Sequence, residues 1–261
     1  MKNKINNTLV SNKNNIDLDE INKFNDFAHL WWNKKDKFSS LHKINPLRLN
    51  YILERSHGLF GKKILDIGCG GGILTESMAQ EGAEVTGIDV AKKLLKIAHT
   101  HALENDLQIK YFQQTIEQHI QEYQSYYDII TCLEILEHVP NPLSLIQSCA
   151  IAVKHNGQVF FSTLNRNFKS WLYVILGAEY LFQLLPKGTH NFHKFIKPSE
   201  LLDWANNSSL YEQHIIGIHY NPLCNHFYFK SDITLNYIIH TKHIKNSTNI
   251  FSQNYNKNTQ T

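Results

Sequence analysis

The chain has 261 residues, 42% of them apolar and 19% charged, and its 26 Lys and Arg against 23 Asp and Glu give a net charge of +3. This balance predicts one globular domain, excludes a disordered chain and gives no indication of a nucleic-acid surface. Four cysteines without a CxxC pair, no secretory leader and no apolar run near the ~18 residues of a membrane span together predict a soluble, cytoplasmic protein.

The two ends of the chain are polar and rich in Asn. We expect disordered tails at residues 1–19 and 242–261, because such segments bury too little apolar area to offset the entropy of ordering. Residues 20–241 are predicted to form the domain. It begins with helices at residues 18–32 and 46–56.

From Lys62 onward, short apolar runs alternate with longer periodic ones. Helices are predicted for ILTESMAQEG, AKKLLKIAHTHALEN, residues 116–123 and residues 143–154, and strands for KKILDIG, EVTGID, IKYF, YDIITCLE and QVFFSTL. A turn signal at residues 155–157 precedes the fifth strand. This alternation predicts a doubly wound α/β fold, because parallel strands need crossover helices.

The chain after the fifth strand begins with an insertion, which we place at residues 166–197. A helix, LLDWANN, follows Pro198, and two strand-like stretches lie near residues 212–219 and 227–229. These two stretches predict antiparallel strands at one edge of the sheet. The whole is a mostly parallel, seven-stranded, Rossmann-like sheet with helices in front of it.

A glycine-rich loop, Gly68-Cys69-Gly70-Gly71-Gly72, follows the first predicted strand and opens a helix. Glycines allow a ligand to approach the backbone closely, and a helix N-terminus offers unpaired N–H groups. A second strand ends in Asp89 about 20 residues later, where a carboxylate can accept the hydroxyls of a ribose. The pattern predicts a nucleotide site containing Gly68, Gly70 and Asp89.

The loop favours one nucleotide cofactor over another. A dinucleotide fingerprint has a third glycine where this chain has Ile73, and it does not call for an acid such as Asp66 before the first glycine. Asp66 suits an ammonium group, not a pyrophosphate. S-adenosylmethionine carries an ammonium group, a ribose and no phosphate, so it is favoured over NAD.

Several longer motifs match a known family. The chain resembles class I S-adenosylmethionine-dependent methyltransferases, and more closely the bacterial ubiquinone-biosynthesis O-methyltransferases, in ILDIGCGGGILTESMA, INPLR, TCLEILEHVPNP, NRNFKSW and LPKGTH. The resemblance implies methylation of catechol-like hydroxyls on a polyprenylated ring. It also implies cofactor contacts from Arg48, Gly68, Asp89 and Leu133, where Arg48 offers a planar fork to a carboxylate and Leu133 packs on adenine.

An acidic and histidine-containing turn follows the fourth strand. If the segment is helical, Glu134, Glu137 and His138 share one face at i, i+3 and i+4. Two carboxylates and an imidazole could hold a divalent cation, magnesium or zinc, and the resemblance supports this. His138 acting alone as a general base and a purely structural turn are the alternatives.

The insertion is long for a connection in this fold, so we expect it to cover the site. Residues 171–185 are mostly apolar but interrupted by Gly177 and Glu179, and they are too short to span a bilayer. They are flanked by Arg166, Lys169 and Lys187. They fit either a buried lid or a peripheral contact with the inner membrane. His190 is a candidate substrate contact.

The combined expectation is methyl transfer from S-adenosylmethionine to a phenolic oxygen of a polyprenylated phenol or quinol. Other ubiquinone-pathway enzymes are possible partners, and no nucleic acid is expected. The alternatives are a methyltransferase for another lipid or aromatic acceptor and a non-catalytic cofactor-binding subunit that recruits pathway partners.

Overall fold

The structure is a computed structural model that describes residues 15–35, 38–167, 170 and 194–244. Two helices come first, α1 (Leu18–Asp26) and α2 (Ser39–Ser56), with a 3₁₀ turn at Ala28–Leu30 between them. The alternating part consists of β1 (Lys63–Ile67), α3 (Ile73–Gln80), β2 (Glu84–Asp89), α4 (Lys92–Glu104), β3 (Lys110–Gln113), α5 (Ile116–His119), β4 (Tyr127–Leu133), α6 (Pro142–Ala152) and β5 (Val153–Leu164). The last part consists of α7 (Pro198–Asn207), β6 (Leu210–Asn221), β7 (His226–Lys230) and β8 (Asn236–His243).

All eight strands form one sheet in the order β3-β2-β1-β4-β5-β8-β6-β7. The first five neighbours pair in parallel, and β8, β6 and β7 add antiparallel pairs at one side. The predicted doubly wound sheet is confirmed. Because the order reverses between β1 and β4, the carboxyl ends of these strands flank the crevice in which such folds bind ligands.

The core lies on both faces of this sheet. Side chains alternate along a strand, so neighbouring residues such as Phe160 and Phe161 point to opposite faces. Phe161 packs in a cluster with residues of α6 and α7, whereas Phe160 packs with Tyr51 of α2 and Met78 of α3. Both phenyl rings are fully buried. The continuous apolar runs of the central strands are therefore explained by burial on two faces.

The strand β8 was missed by the sequence analysis, which predicted seven strands. It lies between β5 and β6 and pairs with both, from Asn236 opposite Leu164 to Lys242 opposite Gln158 on the β5 side. Its sequence, NYIIHTKH, carries the β-branched residues of a strand. The polar residues in its second half, HTKH, shorten the apolar run by which a strand is recognised in the sequence. In the structure, Tyr237, Ile238 and Ile239 are buried.

Two predicted boundaries near proline and glycine are wrong. We expected α2 to start at Pro46, but the helix begins at Ser39 and continues through Pro46. Burial of Ser40 and Ile44 stabilises the turns before the proline. α6 ends at Ala152, and β5 begins at Val153 before the expected turn at residues 155–157. The extra residues are absorbed by a shift in the pairing with β4, from Tyr127 opposite Val153 to Ile129 opposite Gln158.

The predicted helix at residues 18–32 and the predicted domain limits also need correction. α1 ends at Asp26, and the chain continues as the 3₁₀ turn. The limit at residue 20 falls inside α1, whose N-cap Asp17 accepts hydrogen bonds from the amides of Asp19 and Glu20. The limit at residue 241 falls inside β8. Regular secondary structure therefore begins before residue 20 and extends beyond residue 241.

Candidate active site

A cavity of about 340 Å³ lies at the carboxyl ends of β1, β2 and β4. Its volume is in the range of small-molecule sites, roughly 300–1,000 Å³. Helices α1 and α2 form its outer wall. The cavity brings together nearly all of the residues singled out from the sequence, namely Arg48, Asp66, Gly68, Gly70, Asp89, Leu133, Glu134 and His138. Glu137 does not line it.

Gly68 turns the chain sharply at the end of β1. Its φ of 67° is in the left-handed region, and a Cβ there would lie 2.9 Å from Cδ1 of Ile135. The amides of Gly68 and Cys69 both donate to the carbonyl of Ile88 in β2. The first half of the loop is therefore held against the neighbouring strand, which leaves its surface open to the cavity.

The next glycines make room for an aromatic side chain. A Cβ on Gly70 would lie 2.5 Å from Cζ2 of Trp31, and one on Gly71 would overlap the same indole. Trp32 reinforces the contact, because its Nε1 donates to the carbonyl of Gly71 at 2.9 Å and its ring stacks on His101. The loop thus packs against the segment after α1. Its glycine pattern alone does not indicate this contact.

Asp89 ends β2 with both carboxylate oxygens facing backbone donors. Oδ2 accepts from the amide of Gly70 at 2.9 Å, and Oδ1 accepts from the amide of Ala91 at 2.7 Å. Burial raises the pKa of this carboxyl, and the backbone hydrogen bonds oppose the rise. Each oxygen can accept a further hydrogen bond. The carboxylate is therefore fixed in position on the cavity wall.

Asp66 sits deeper, at the end of β1. It is 4% exposed and accepts hydrogen bonds from the hydroxyls of Thr75 at 2.6 Å and Thr131 at 2.7 Å. Burial is the largest influence and raises the pKa of Asp66 to about 6, although the two threonines act in the opposite direction. A cation in the cavity would favour the ionised form.

Arg48 projects from α2 and donates from Nη2 to Oε1 of Glu134 at 2.7 Å. The same oxygen accepts from Ser162 Oγ at 2.8 Å and from Asn236 Nδ2 at 3.1 Å. Nε of Arg48 is buried and has no hydrogen-bond partner among the described residues. Leu133, the last residue of β4, adds an apolar wall beside this network. Arg48 therefore retains donor capacity at the cavity.

His138 pairs with a residue that the sequence analysis did not single out. Its Nδ1 lies 2.9 Å from Oε2 of Glu20 in α1, and the ring of Phe24 lies edge-on at 5.2 Å. The hydrogen bond to His138 is the main reason that the pKa of Glu20 falls to about 2. An ionised carboxylate only accepts, so Nδ1 must carry the hydrogen and Nε2 of a neutral ring is the acceptor.

Helix α1 is anchored at its start by contacts to distant parts of the chain. Asn15 exchanges two hydrogen bonds with the backbone of Asn141, at 2.8 and 3.0 Å. Lys194 donates to the N-cap Asp17 at 2.8 Å. These contacts fix the helix that carries Glu20 over the cavity.

The expected helical face of Glu134, Glu137 and His138 is not formed. Glu134 has a φ of 55°, and only Leu136–His138 form a 3₁₀ turn. A positive φ reverses the direction of the backbone, so these residues do not continue one helix. The i, i+3, i+4 argument is therefore wrong for this segment.

The three side chains also make different contacts. Glu134 is bound by Arg48, Glu137 accepts from the Thr163 hydroxyl at 2.9 Å, and His138 pairs with Glu20. Burial and the neighbouring Glu134 raise the pKa of Glu137 well above its usual range. Within the described ranges, no group of three or more His, Cys, Asp or Glu side chains could hold a metal ion. The predicted cation does not fit this arrangement.

The cofactor predicted from the sequence does fit. Asp89 supplies a charged acceptor for ribose hydroxyls, Asp66 an acid for an ammonium group, and Arg48 a buried donor for a carboxylate. Gly68 lines the same cavity. These groups match the polar parts of S-adenosylmethionine, and their roles stay a prediction.

Most of the insertion after β5 lies outside the described residues, including residues 171–185 and the candidates Lys169, Lys187 and His190. Arg166 is described and pairs with Glu200 of α7. No helix within the described segments has the length and apolar character to cross a membrane.

Comparisons with known proteins agree on one group. A methyltransferase-domain family model matches residues 43–211. The ubiquinone biosynthesis O-methyltransferase of Photorhabdus laumondii is 53% identical over 90% of this chain and 98% of its own length. The protein of the same name from Yersinia pestis is 53% identical over 89% of this chain and 96% of its length.

Solved structures agree on the fold. Magnesium protoporphyrin IX methyltransferase from Synechocystis, with bound S-adenosylhomocysteine, has a TM-score of 0.62 at 17% identity and covers 85% of this chain and 94% of its own. The same enzyme with S-adenosylmethionine has a TM-score of 0.59 at 16% identity, over 87% and 98%. At these identities the likeness concerns the fold alone.

Proposed function

The chain belongs to the ubiquinone biosynthesis O-methyltransferase family, and from that premise we propose how its cavity carries out the reaction. The protein is an S-adenosylmethionine-dependent O-methyltransferase of ubiquinone biosynthesis. Its acceptor is a phenolic hydroxyl of a polyprenylated catechol or demethylubiquinol. S-adenosylmethionine supplies an electrophilic methyl group, so the phenolic oxygen bonds to the methyl carbon as the carbon–sulfur bond breaks and a neutral thioether leaves.

The first task of the residues is to hold the cofactor in one orientation. Asp89 accepts the ribose hydroxyls, and its own position is fixed by the amides of Gly70 and Ala91. Asp66 faces the ammonium group, and Arg48 binds the carboxylate end through its buried Nε. Leu133 packs against the cofactor at the end of β4. Fixed orientation supplies much of the rate of a bimolecular transfer.

The second task is to remove the phenol proton. Glu20 holds Nδ1–H of His138, so the lone pair on Nε2 can accept this proton as the new bond forms. The imidazolium that results is stabilised by the carboxylate at 2.9 Å. This contact between Glu20 and His138 is the observation that carries the proposal of a metal-free general base.

The acceptor's chain also suggests where the enzyme works. A polyprenyl chain resides in a bilayer, so we propose a cytoplasmic enzyme that contacts the inner membrane peripherally and meets other pathway enzymes there. Residues 171–185 are apolar, and Lys169 and Lys187 flank them. Sedimentation with anionic liposomes, weakening as salt rises, tests this proposal.

Transfer of labelled methyl from S-adenosylmethionine to a short-chain demethylubiquinol tests the function itself. The purified wild-type protein should label the acceptor oxygen, and His138→Gln should bind the cofactor without labelling. Asp19→Asn, on an exposed position of α1, is the matched control and should label as wild type does. Cofactor binding without labelling by the wild type would favour a non-catalytic subunit.

A further inference from the structure

One part of the cavity is not needed for the groups described so far. Beyond Glu134 the lining changes from charged residues to Leu164, Ile218, Tyr220, Phe227 and Leu235, which we call the apolar arm. Of the residues that match the cofactor's polar groups, Asp66 and Asp89 lie on β1 and β2, and Arg48 lies on α2 beside Glu134. The arm therefore requires an occupant of different chemistry.

The sheet register shows how the arm continues from Glu134. Asn236, which donates to Glu134 at 3.1 Å, lies opposite Leu164 on β5 and opposite Ile218 on β6. Tyr220 is two residues beyond Ile218 and therefore on the same face, and Phe227 of β7 lies opposite Tyr220. A continuous apolar path thus runs from Glu134 along the β6–β7 hairpin.

Helix α2 covers the path from the other side. Ile44 packs in the same buried cluster as Ile218 and Phe227. Lys43 donates from Nζ to Oδ1 of Asn225 at 2.9 Å, and the hydroxyl of Tyr220 donates to the same oxygen at 2.8 Å. These contacts tie α2 to the hairpin tip and give the path two fixed walls.

The path ends beside one exposed apolar side chain. From Ile218 to Asn221, the end of β6, the strand advances roughly 10 Å at about 3.4 Å per residue. Leu223, at the tip beyond it, is 97% exposed. A linear hydrocarbon chain could therefore lie along the arm and leave the protein beside an exposed leucine.

We propose that the apolar arm binds the first isoprene units of the acceptor's chain and so orients the phenol toward His138. This inference rests on the proposed function, because the acceptor class comes from it. Four of its five side chains carry no polar atom, and the hydroxyl of the fifth, Tyr220, donates to Asn225. Burial of hydrocarbon against these side chains is favourable. Phe227 is then a specificity-determining residue.

The test compares two acceptors and two neighbouring positions on β7. Phe227→Ala should lower kcat/KM for a prenylated catechol about tenfold, while leaving kcat/KM for the unprenylated catechol and the affinity for S-adenosylmethionine unchanged. Tyr228→Ala, on the opposite face of the same strand, is the matched control and should change neither. Leu235→Ala alters the part of the lining just before β8 and should repeat the selective loss if Phe227→Ala fails to fold.

Calorimetry with farnesol, a prenyl alcohol without a phenol ring, separates the arm from the reaction. Wild type and Tyr228→Ala should bind it, and Phe227→Ala or Leu235→Ala should bind it about tenfold more weakly. An equal loss of kcat/KM for both catechols in Phe227→Ala, or no farnesol binding by the wild type, would contradict the proposal that the arm binds the isoprene units. Farnesol binding with no methylation of either catechol would instead leave the arm in place and contradict the proposed function.

Discussion

The two ends of the cavity are built in different ways. Most of the residues proposed to bind the cofactor lie within residues 63–91, where strand, glycine loop and helix follow one another and backbone hydrogen bonds such as Gly70 to Asp89 fix the carboxylate. Arg48 of α2 and Leu133 of β4 add to this end. The acceptor end is assembled from distant segments, since Glu20 and His138 are 118 residues apart and Glu134 and Asn236 are 102 apart. The proposed cofactor site therefore depends mainly on a local motif, whereas the proposed acceptor site depends on tertiary contacts.

Replacing His138 should affect the acceptor end without affecting the cofactor end, and it has the largest expected effect on turnover. His138→Gln should lower kcat about 10²–10⁴-fold, because a positioned general base contributes that much to proton transfer. The affinity for S-adenosylmethionine should stay unchanged in calorimetry, since His138 belongs to the acceptor end. A variant that turns over at the wild-type rate would remove His138 from the mechanism.

Replacing Asp89 should have the opposite pattern. Asp89→Ala removes a charged acceptor for the ribose hydroxyls, and hydrogen bonds to charged groups contribute about 1.5–3 kcal/mol, so affinity for S-adenosylmethionine should fall ten- to hundredfold. NADH should not compete in the wild type. Unchanged cofactor affinity in the variant would contradict the assignment.

The cofactor end was largely predictable from the sequence. Gly68, Gly70 and Asp89 have fixed spacings after buried strands, and each spacing implies one place in a doubly wound sheet. The structure also shows that Gly70 and Gly71 pack against Trp31, which the spacing cannot reveal. A glycine pattern does not reveal which side chain from elsewhere lies against it.

The acceptor end could not be predicted in the same way. Glu20 lies in an amphipathic helix with nothing in its neighbourhood to distinguish it from a surface acid. The expected helical face of Glu134, Glu137 and His138 is not formed, because the positive φ at Glu134 interrupts the helix, although Glu134 and Glu137 remain neighbours. A helical face can be deduced from spacing only when the segment is one helix.

The raised pKa of Asp66 predicts a smaller effect, a dependence of cofactor affinity on pH. Its folded-state pKa of about 6 lies above the ordinary value, so ionisation as pH rises through that range destabilises the free protein. A bound ammonium group favours the ionised form. Through Asp66 alone, cofactor affinity should therefore rise with pH, at most about tenfold from about pH 5 to about pH 7.

Asp89, whose pKa is also raised by burial, contributes in the same direction. The control is Asp66→Asn. In this variant the affinity for the cofactor should depend less on pH, because only the contribution of Asp66 is removed. An unchanged profile in that variant, measured by calorimetry at each pH, would show that Asp66 only bridges Thr75 and Thr131.

Chelation should have the smallest effect. Because Glu134 and His138 are engaged with Arg48 and Glu20, EDTA treatment should leave turnover unchanged and added magnesium or zinc should not increase it. Loss of turnover on chelation with recovery on adding either metal would contradict the metal-free base. It would require these side chains to rearrange around a cation.

The measurement that tests the division of the cavity most directly is made on Glu20→Gln, with Asp19→Asn beside it. Glu20 touches His138 but none of the residues assigned to the ribose or the ammonium group, so the variant should turn over ten- to hundredfold more slowly at saturating cofactor and keep wild-type affinity for S-adenosylmethionine. Asp19→Asn should match wild type in both quantities. Weakened cofactor affinity with unchanged saturated turnover in Glu20→Gln would contradict the account, because it would place Glu20 at the cofactor end.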